Sequence, residues 1–262
     1  MRTHRILPII MIMIALGLPA CRGTKTRSTP AIDPELVNLS KQEAFDKAEA
    51  LFEDKRWVRS RTFYQYVNEN FPNDPLGRRS LLRIADTYFK QGSDVNLVES
   101  QYKYRDFINR YPGSESADYA MLQIANVSYK QMERPDRDQT KTREAVTKFQ
   151  EMLTAFPRSS HRAEAETRLR KANDRLAKHE HLVARFYIKR KSYEAAILRL
   201  NHMVERFPDY EERDATFYDL GTALSALGRK GEARLYFERV VAEFPNSEFA
   251  AKAKQKLEQK AV

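Results

Sequence analysis

An all-α solenoid of about five helical hairpins is the fold that this sequence predicts, and three observations predict it. Only 8 of 262 residues are Gly while 31% are charged, a balance that favours long solvated helices over turn-rich β structure. Five prolines follow an aromatic: Phe71-Pro72, Tyr111-Pro112, Phe156-Pro157, Phe207-Pro208 and Phe244-Pro245, spaced 40, 45, 51 and 37 residues apart. Small and aromatic residues then recur inside each interval at helical spacing. The 42% hydrophobic content supplies a core and excludes disorder for most of the chain.

The N-terminal elements come first. Met1–Arg5 carries Arg2 and Arg5 ahead of the apolar run Ile6–Leu18. Thirteen residues are too few to span a bilayer, which takes about 20, so residues 1–20 read as a signal peptide. Cys21, the only cysteine, follows Leu18-Pro19-Ala20 and resembles a bacterial lipobox. Pro19 stands where a small or β-branched residue is usual. A lipidated Cys21 would give a stable anchor, since each buried methylene contributes about 0.8 kcal/mol. Residues 21–35 read as the lipidated cysteine and a flexible tether. Arg22, rather than Asp, follows the cysteine, which among such lipoproteins implies delivery to the outer membrane.

From residue 36 each aromatic-Pro pair ends one helix and lets the next begin, because proline cannot continue a helix and disfavours the α region before it. The intervals fit the tetratricopeptide (TPR) pattern. The first unit gives Ala48, Leu51 and Tyr64; the second Ile84-Ala85, Tyr88 and Tyr104; the third Ile124-Ala125 and Ala145-x₃-Phe149. The fourth gives Val183-Ala184, Tyr187, Ala196 and Leu200, and the fifth Leu220-Gly221, Leu224 and Ala233-x₃-Phe237. Small residues let paired helices approach and aromatics fill the gap. Repeats 1–3 occupy 36–157; repeats 4 and 5 with a capping helix at Phe249-Ala250-Ala251 occupy 158–262. No Gly or Pro falls between Arg158 and Phe207, so the first helix of unit four runs from about Ser160 to Arg190 and joins the two halves.

Catalytic and metal chemistry find no support. His179-Glu180-His181 puts two histidines two residues apart, on different helix faces. Asp136-Arg137-Asp138-Gln139-Thr140 begins like a calcium loop but has Lys141 and Thr147 at the Gly and Glu positions. A helix cap at Asp138 or Thr140 is the plainer reading. Phosphate-binding Gly loops and nucleophile elbows are absent, so no enzyme, cofactor or metal is expected. What remains is a binding surface. The concave positions of helix A in the first three units include Phe45, Phe52, Arg79, Leu82, Phe89, Tyr119, Leu122, Asn126 and Tyr129. Such residues read either as core or as a groove for an extended, aromatic-containing peptide.

Several stretches carry a more specific resemblance: Asp136-Arg137-Asp138-Gln139-Thr140 with Thr142-Arg143-Glu144-Ala145, Phe156-Pro157-x-Ser159, Arg175-Leu176-Ala177-x-His179-Glu180, and Val183-Ala184-Arg185-Phe186-Tyr187. In these the chain resembles the BamD family of outer-membrane protein assembly lipoproteins. The resemblance implies a lipid-anchored subunit at the periplasmic face of the outer membrane, within the machinery that assembles β-barrels. It implies that the C-terminal repeats hold a POTRA domain of a BamA-like subunit, alongside other assembly lipoproteins. The N-terminal repeats would receive the C-terminal strand of unfolded outer-membrane proteins. A charged residue opening helix A of the last unit is implicated in the partner contact, and Arg213-Asp214 is the nearest match. A pilotin-type TPR lipoprotein serving a secretin or pilus shares the anchor and the repeats, and a cell-envelope enzyme or peptidoglycan binder is a further class.

The net charge of +10 is unevenly spread. Residues 158–206 hold 13 basic against 6 acidic residues, a net of +7, whereas 22–157 carry +2 and 207–262 carry −1. Arg168, Arg170 and Lys171 therefore read as a basic face, solvated or set against an acidic partner domain or anionic headgroups. An exported lipoprotein meets no genomic DNA, which removes nucleic acid as a partner.

Overall fold

The computed structural model describes residues 34–36 and 38–259. The expected signal peptide, Cys21 and nearly all of the expected tether lie outside them. After a 3-10 turn at Pro34–Leu36 come eleven helices: α1 Lys41–Glu53, α2 Trp57–Asn70, α3 Pro75–Gln91, α4 Asp94–Arg110, α5 Ala117–Lys130, α6 Thr140–Ala155, α7 Arg162–Lys189, α8 Tyr193–Arg206, α9 Arg213–Ala226, α10 Lys230–Glu243 and α11 Glu248–Glu258. Among the described residues there is no strand, and no helix is long and apolar enough to cross a membrane.

Local chemistry sets the boundaries. Ser40 and Glu43 close a reciprocal capping box on α1. Asp74 accepts from the Leu76 N–H with Pro75 in the first turn of α3. The five aromatics before proline are the C-cap residues just past α2, α4, α6, α8 and α10, each with its N–H still bonded four residues back. The hairpins close where small residues face each other. Ser60 Oγ donates to the Ala48 carbonyl at 2.9 Å and Ser100 Oγ to the Ala85 carbonyl at 3.0 Å. A Cβ on Gly221 would stand 2.7 Å from the Phe237 ring, so glycine is what lets α9 and α10 meet.

The residue eight positions before each of those five prolines is fully buried: Tyr64, Tyr104, Phe149, Leu200 and Phe237. These side chains sit in four successive apolar clusters that run the length of the array. Helix α7 has 28 residues and so spans about 42 Å, close to the expected Ser160–Arg190. It feeds two clusters, Ala165 and Leu169 entering one and Leu176, Ala177 and Ala184 the next. The halves therefore share a helix.

The loop between α5 and α6 braces that helix. Asp138 Oδ1 accepts from the Thr140 N–H at 2.8 Å, and buried Gln139 donates to the Arg134 and Arg137 carbonyls. Arg175 donates to the Glu133 carbonyl and His179 Nδ1 to the Pro135 carbonyl, both at 2.7 Å. The Asp-Arg-Asp-Gln-Thr and Leu-Ala-x-His-Glu stretches thus meet at one joint, which gives both a structural reason.

Candidate functional site

Helices α3, α5 and α7 present their C-terminal, C-terminal and N-terminal parts to a shared groove of about 940 Å³. Its walls bring together Phe89 and Lys90, Asn126, Tyr129 and Lys130, and Arg168 and Lys171. The repeat explains the layout. Phe89 and Tyr129, and Lys90 and Lys130, stand 40 residues apart, as do Pro72 and Pro112. Each helix therefore offers an aromatic and a cation at the same level. Arg168 lies over the Tyr129 ring at 5.8 Å from its centroid, and Lys130 over Phe89 at 4.7 Å.

Four cations face a single carboxylate there, Glu164, which pairs with Arg168 at 2.9 Å. Burial, with Lys90 beside it, pulls the Lys130 ammonium below the usual lysine range, which favours an anionic or acceptor-rich ligand there. Asn126 is 2% exposed. Its Nδ2 donates to Gln123 at 3.2 Å, while its Oδ1 has no hydrogen-bond partner. Buried polar atoms are nearly always paired, so this acceptor stands ready for a donor entering the groove.

The nine residues expected to line one groove divide by depth. Phe89, Asn126 and Tyr129 line it. Phe45, Phe52, Leu82 and Leu122 are buried: Phe45 meets Tyr64 edge-on at 5.6 Å and Phe52 meets Trp57 at 4.8 Å, under the Arg83 guanidinium. Their spacing of seven marks the face turned toward α2, so the core reading is the correct one for Phe45 and Phe52. Arg79 and Leu82 border a separate cavity of about 640 Å³ with Phe107 and Tyr111. Tyr119 is drawn inward, donating to Asp86 at 2.8 Å.

The expected basic face also needs correcting. Arg168 and Lys171 enter the groove, whereas Arg170 lines a different cavity on another side of α7, because one helical residue turns the direction by 100°. Lys90 and Lys130 escape a reading of the sequence alone. Their signal is the equal spacing that also pairs Phe89 with Tyr129.

Arg213 opens α9 as expected. Its guanidinium lies over Phe217 at 5.4 Å and Phe244 at 5.9 Å, faces Glu243 at 3.4 Å, and keeps a buried Nε without a partner. Asp214 turns back to accept from the Ala215 N–H at 2.8 Å. His181 pairs with Asp219 at 2.9 Å, away from the contact of His179. No group of three His, Cys, Asp or Glu among the described residues is placed to hold a metal.

Comparison with known proteins adds an independent line. The outer membrane protein assembly factor BamD of Neisseria meningitidis serogroup A is 26% identical over 254 residues, covering 94% of this chain and 95% of that one. Its counterpart in Caulobacter vibrioides is 23% identical over 226 residues, covering 86% and 72%. Among solved structures, the TPR2AB domain of yeast Sti1 in its pHSP90 complex overlays with a TM-score of 0.45 and 16% identity, covering 84% and 85%. A family model described as YfiO, outer membrane lipoprotein, matches residues 38–236, more than half of the sequence, and the chain belongs to that family.

Proposed function

We propose that this chain is a non-enzymatic scaffold for outer-membrane protein assembly, acting at the periplasmic face of the outer membrane from a lipid on Cys21. The α3–α5–α7 groove holds an extended, aromatic-bearing segment of an unfolded outer-membrane protein. The C-terminal repeats, through Arg213, engage a BamA-like barrel-assembly subunit and other assembly lipoproteins. Relatives named as assembly factors over nearly the whole length support the general role. The observation that carries the groove reading is the unpaired Oδ1 of buried Asn126, which suits a backbone N–H of an extended peptide. Phe89 and Tyr129 would flank its aromatic side chains, and Lys90 and Lys171 would take carboxylate or carbonyl groups beside Lys130, which donates to the Phe89 carbonyl, and Arg168, which pairs with Glu164.

The test is binding of a fluorescent peptide, copied from the C-terminal strand of an outer-membrane barrel, to the lipidated full chain in detergent. Replacing Phe89 and Tyr129 together with Ser should weaken binding at least tenfold, while Phe186→Ser, at an exposed ring elsewhere on α7, should leave it unchanged. Equal affinity for the double variant and the parent sinks the proposal. Phe52→Ser is unsuitable for this purpose, since it would damage the core.

A further inference from the structure

On another side of α7 from the groove, a second cavity of about 450 Å³ opens between that helix and the turn leading from α8 to α9. Leu169, Phe207 and Pro208 give it an apolar wall, and Asp174 and Tyr210 its polar end. Tyr210 is 5% exposed. Neither its hydroxyl nor Asp174 Oδ2 has a hydrogen-bond partner, though both atoms are buried. The Glu212 carboxylate, itself paired with Lys178, lies close enough to draw the hydroxyl's proton, which leaves the lone pairs of the hydroxyl oxygen open. Two oxygens able to accept are thus left open at one cavity, an arrangement that native structures normally complete with a donor.

The charges specify which donor. Asp174, Asp209 and Glu211 form no ion pair among the described residues, and neither do Arg170 and Arg206 at the rim, so one negative charge is in excess. Burial and then the Glu211 carboxylate hold the Asp174 carboxyl above the usual aspartate range, outweighing the Glu211 backbone N–H and the Arg170 charge that oppose them. Glu166, the other acidic side chain of the wall, is already paired with Arg162 at 2.7 Å.

We propose that this cavity receives one lysine or arginine side chain from a partner protein, its cationic head donating to Asp174 Oδ2 and the Tyr210 hydroxyl oxygen. The aliphatic stem lies along Leu169 and Phe207, as long basic side chains do on apolar surfaces. Arg170 and Arg206 limit the site to a single cation and turn away a basic patch. The cavity sits at the turn that leads into Arg213, so a partner reaching that helix start would find both.

The test needs no assembly partner, so its failure would leave the groove proposal standing. The lipidated full chain, in detergent and with 3-fluorotyrosine at position 210, is titrated by fluorine NMR with the blocked tripeptide acetyl-Ala-Arg-Ala-amide. Its citrulline and glutamate analogues serve as the other arms. The arginine peptide should give a saturable shift that weakens at least fivefold in Asp174→Asn and persists in Asp174→Glu, with circular dichroism showing the helicity of both retained. Absence of a saturable shift overturns the proposal. So does an equal response to the citrulline or glutamate peptide, or an Asp174→Asn chain that binds like the parent.

Discussion

Asp86 and Asn126 occupy the same place in two successive repeats, each fourteen residues after its aromatic-Pro pair, and they meet opposite fates. Asp86 Oδ1 accepts from Tyr104 at 2.5 Å and Tyr119 at 2.8 Å, and Oδ2 faces Arg83 at 3.3 Å. Arg83 in turn binds Glu49, which also accepts from Tyr64 at 2.7 Å. Asn126 Oδ1 accepts from nothing. The cause is two substitutions in the following unit. Phe149 stands where Tyr104 stood, eight residues before its proline, and Glu164 stands where Tyr119 stood, seven after. Both hydroxyl donors are gone. One repeat geometry therefore yields a sealed seam in one unit and an unsatisfied groove in the next.

The largest effect should come from breaking the sealed seam. In Asp86→Ala the Tyr104 and Tyr119 hydroxyls lose their acceptor and Arg83 its second carboxylate. Burial, together with Asp86, holds both tyrosines well above the usual phenol range, so they are donors at any physiological pH. Stranding buried donors and a partly buried cation should cost about 3 kcal/mol, read from urea unfolding of the full chain. A loss comparable with that of an exposed substitution would mean that the network contributes nothing beyond its packing.

A subtler change should convert the open unit toward the closed one. Phe149→Tyr restores a hydroxyl at the position from which Tyr104 serves Asp86, within reach of Asn126 by the repeat relation. Peptide binding in the groove should fall about two- to tenfold, the worth of one hydrogen bond, while thermal stability is kept. Unchanged affinity with retained stability would show that Asn126 makes no contact with the peptide.

Much of the fold is legible in the residues themselves. The aromatic-Pro pairs place five helix ends, and the Gly- and Pro-free stretch after Arg158 marks the long α7, because those signals are local. Depth is not legible. Phe52 and Phe89 look alike in sequence, yet Phe52 lies under Arg83 and against Trp57, while Phe89 borders the groove. Direction is lost for Arg170, because a charge count over a segment ignores the turn between adjacent helical residues. The pairing of Lys90 with Lys130 is present in the 40-residue spacing but becomes a site only when α7 closes the third side.

The α5–α6 hairpin of the open unit should differ from the sealed seam in how it responds to acid. Lys148 on α6 donates to Ser128 on α5 at 3.0 Å and is paired with Glu144, which Lys141 also contacts at 2.8 Å. Burial pushes the Glu144 carboxyl up, but the hydrogen bonds from the two lysines outweigh it and hold the pKa down to about 2, from an ordinary 4.5. A depressed carboxylate stabilises the fold fully above its unfolded value, and that contribution fades as pH falls from about 4.5 toward 2. With Glu144 still 29% exposed, solvent screening limits the effect to about 1 kcal/mol or less. Glu144→Gln should therefore lower stability slightly at neutral pH and flatten the loss across this window, measured by denaturant unfolding at stepped pH. Parallel pH profiles for variant and parent would mean that the Ser128–Lys148 contact holds the hairpin without the carboxylate.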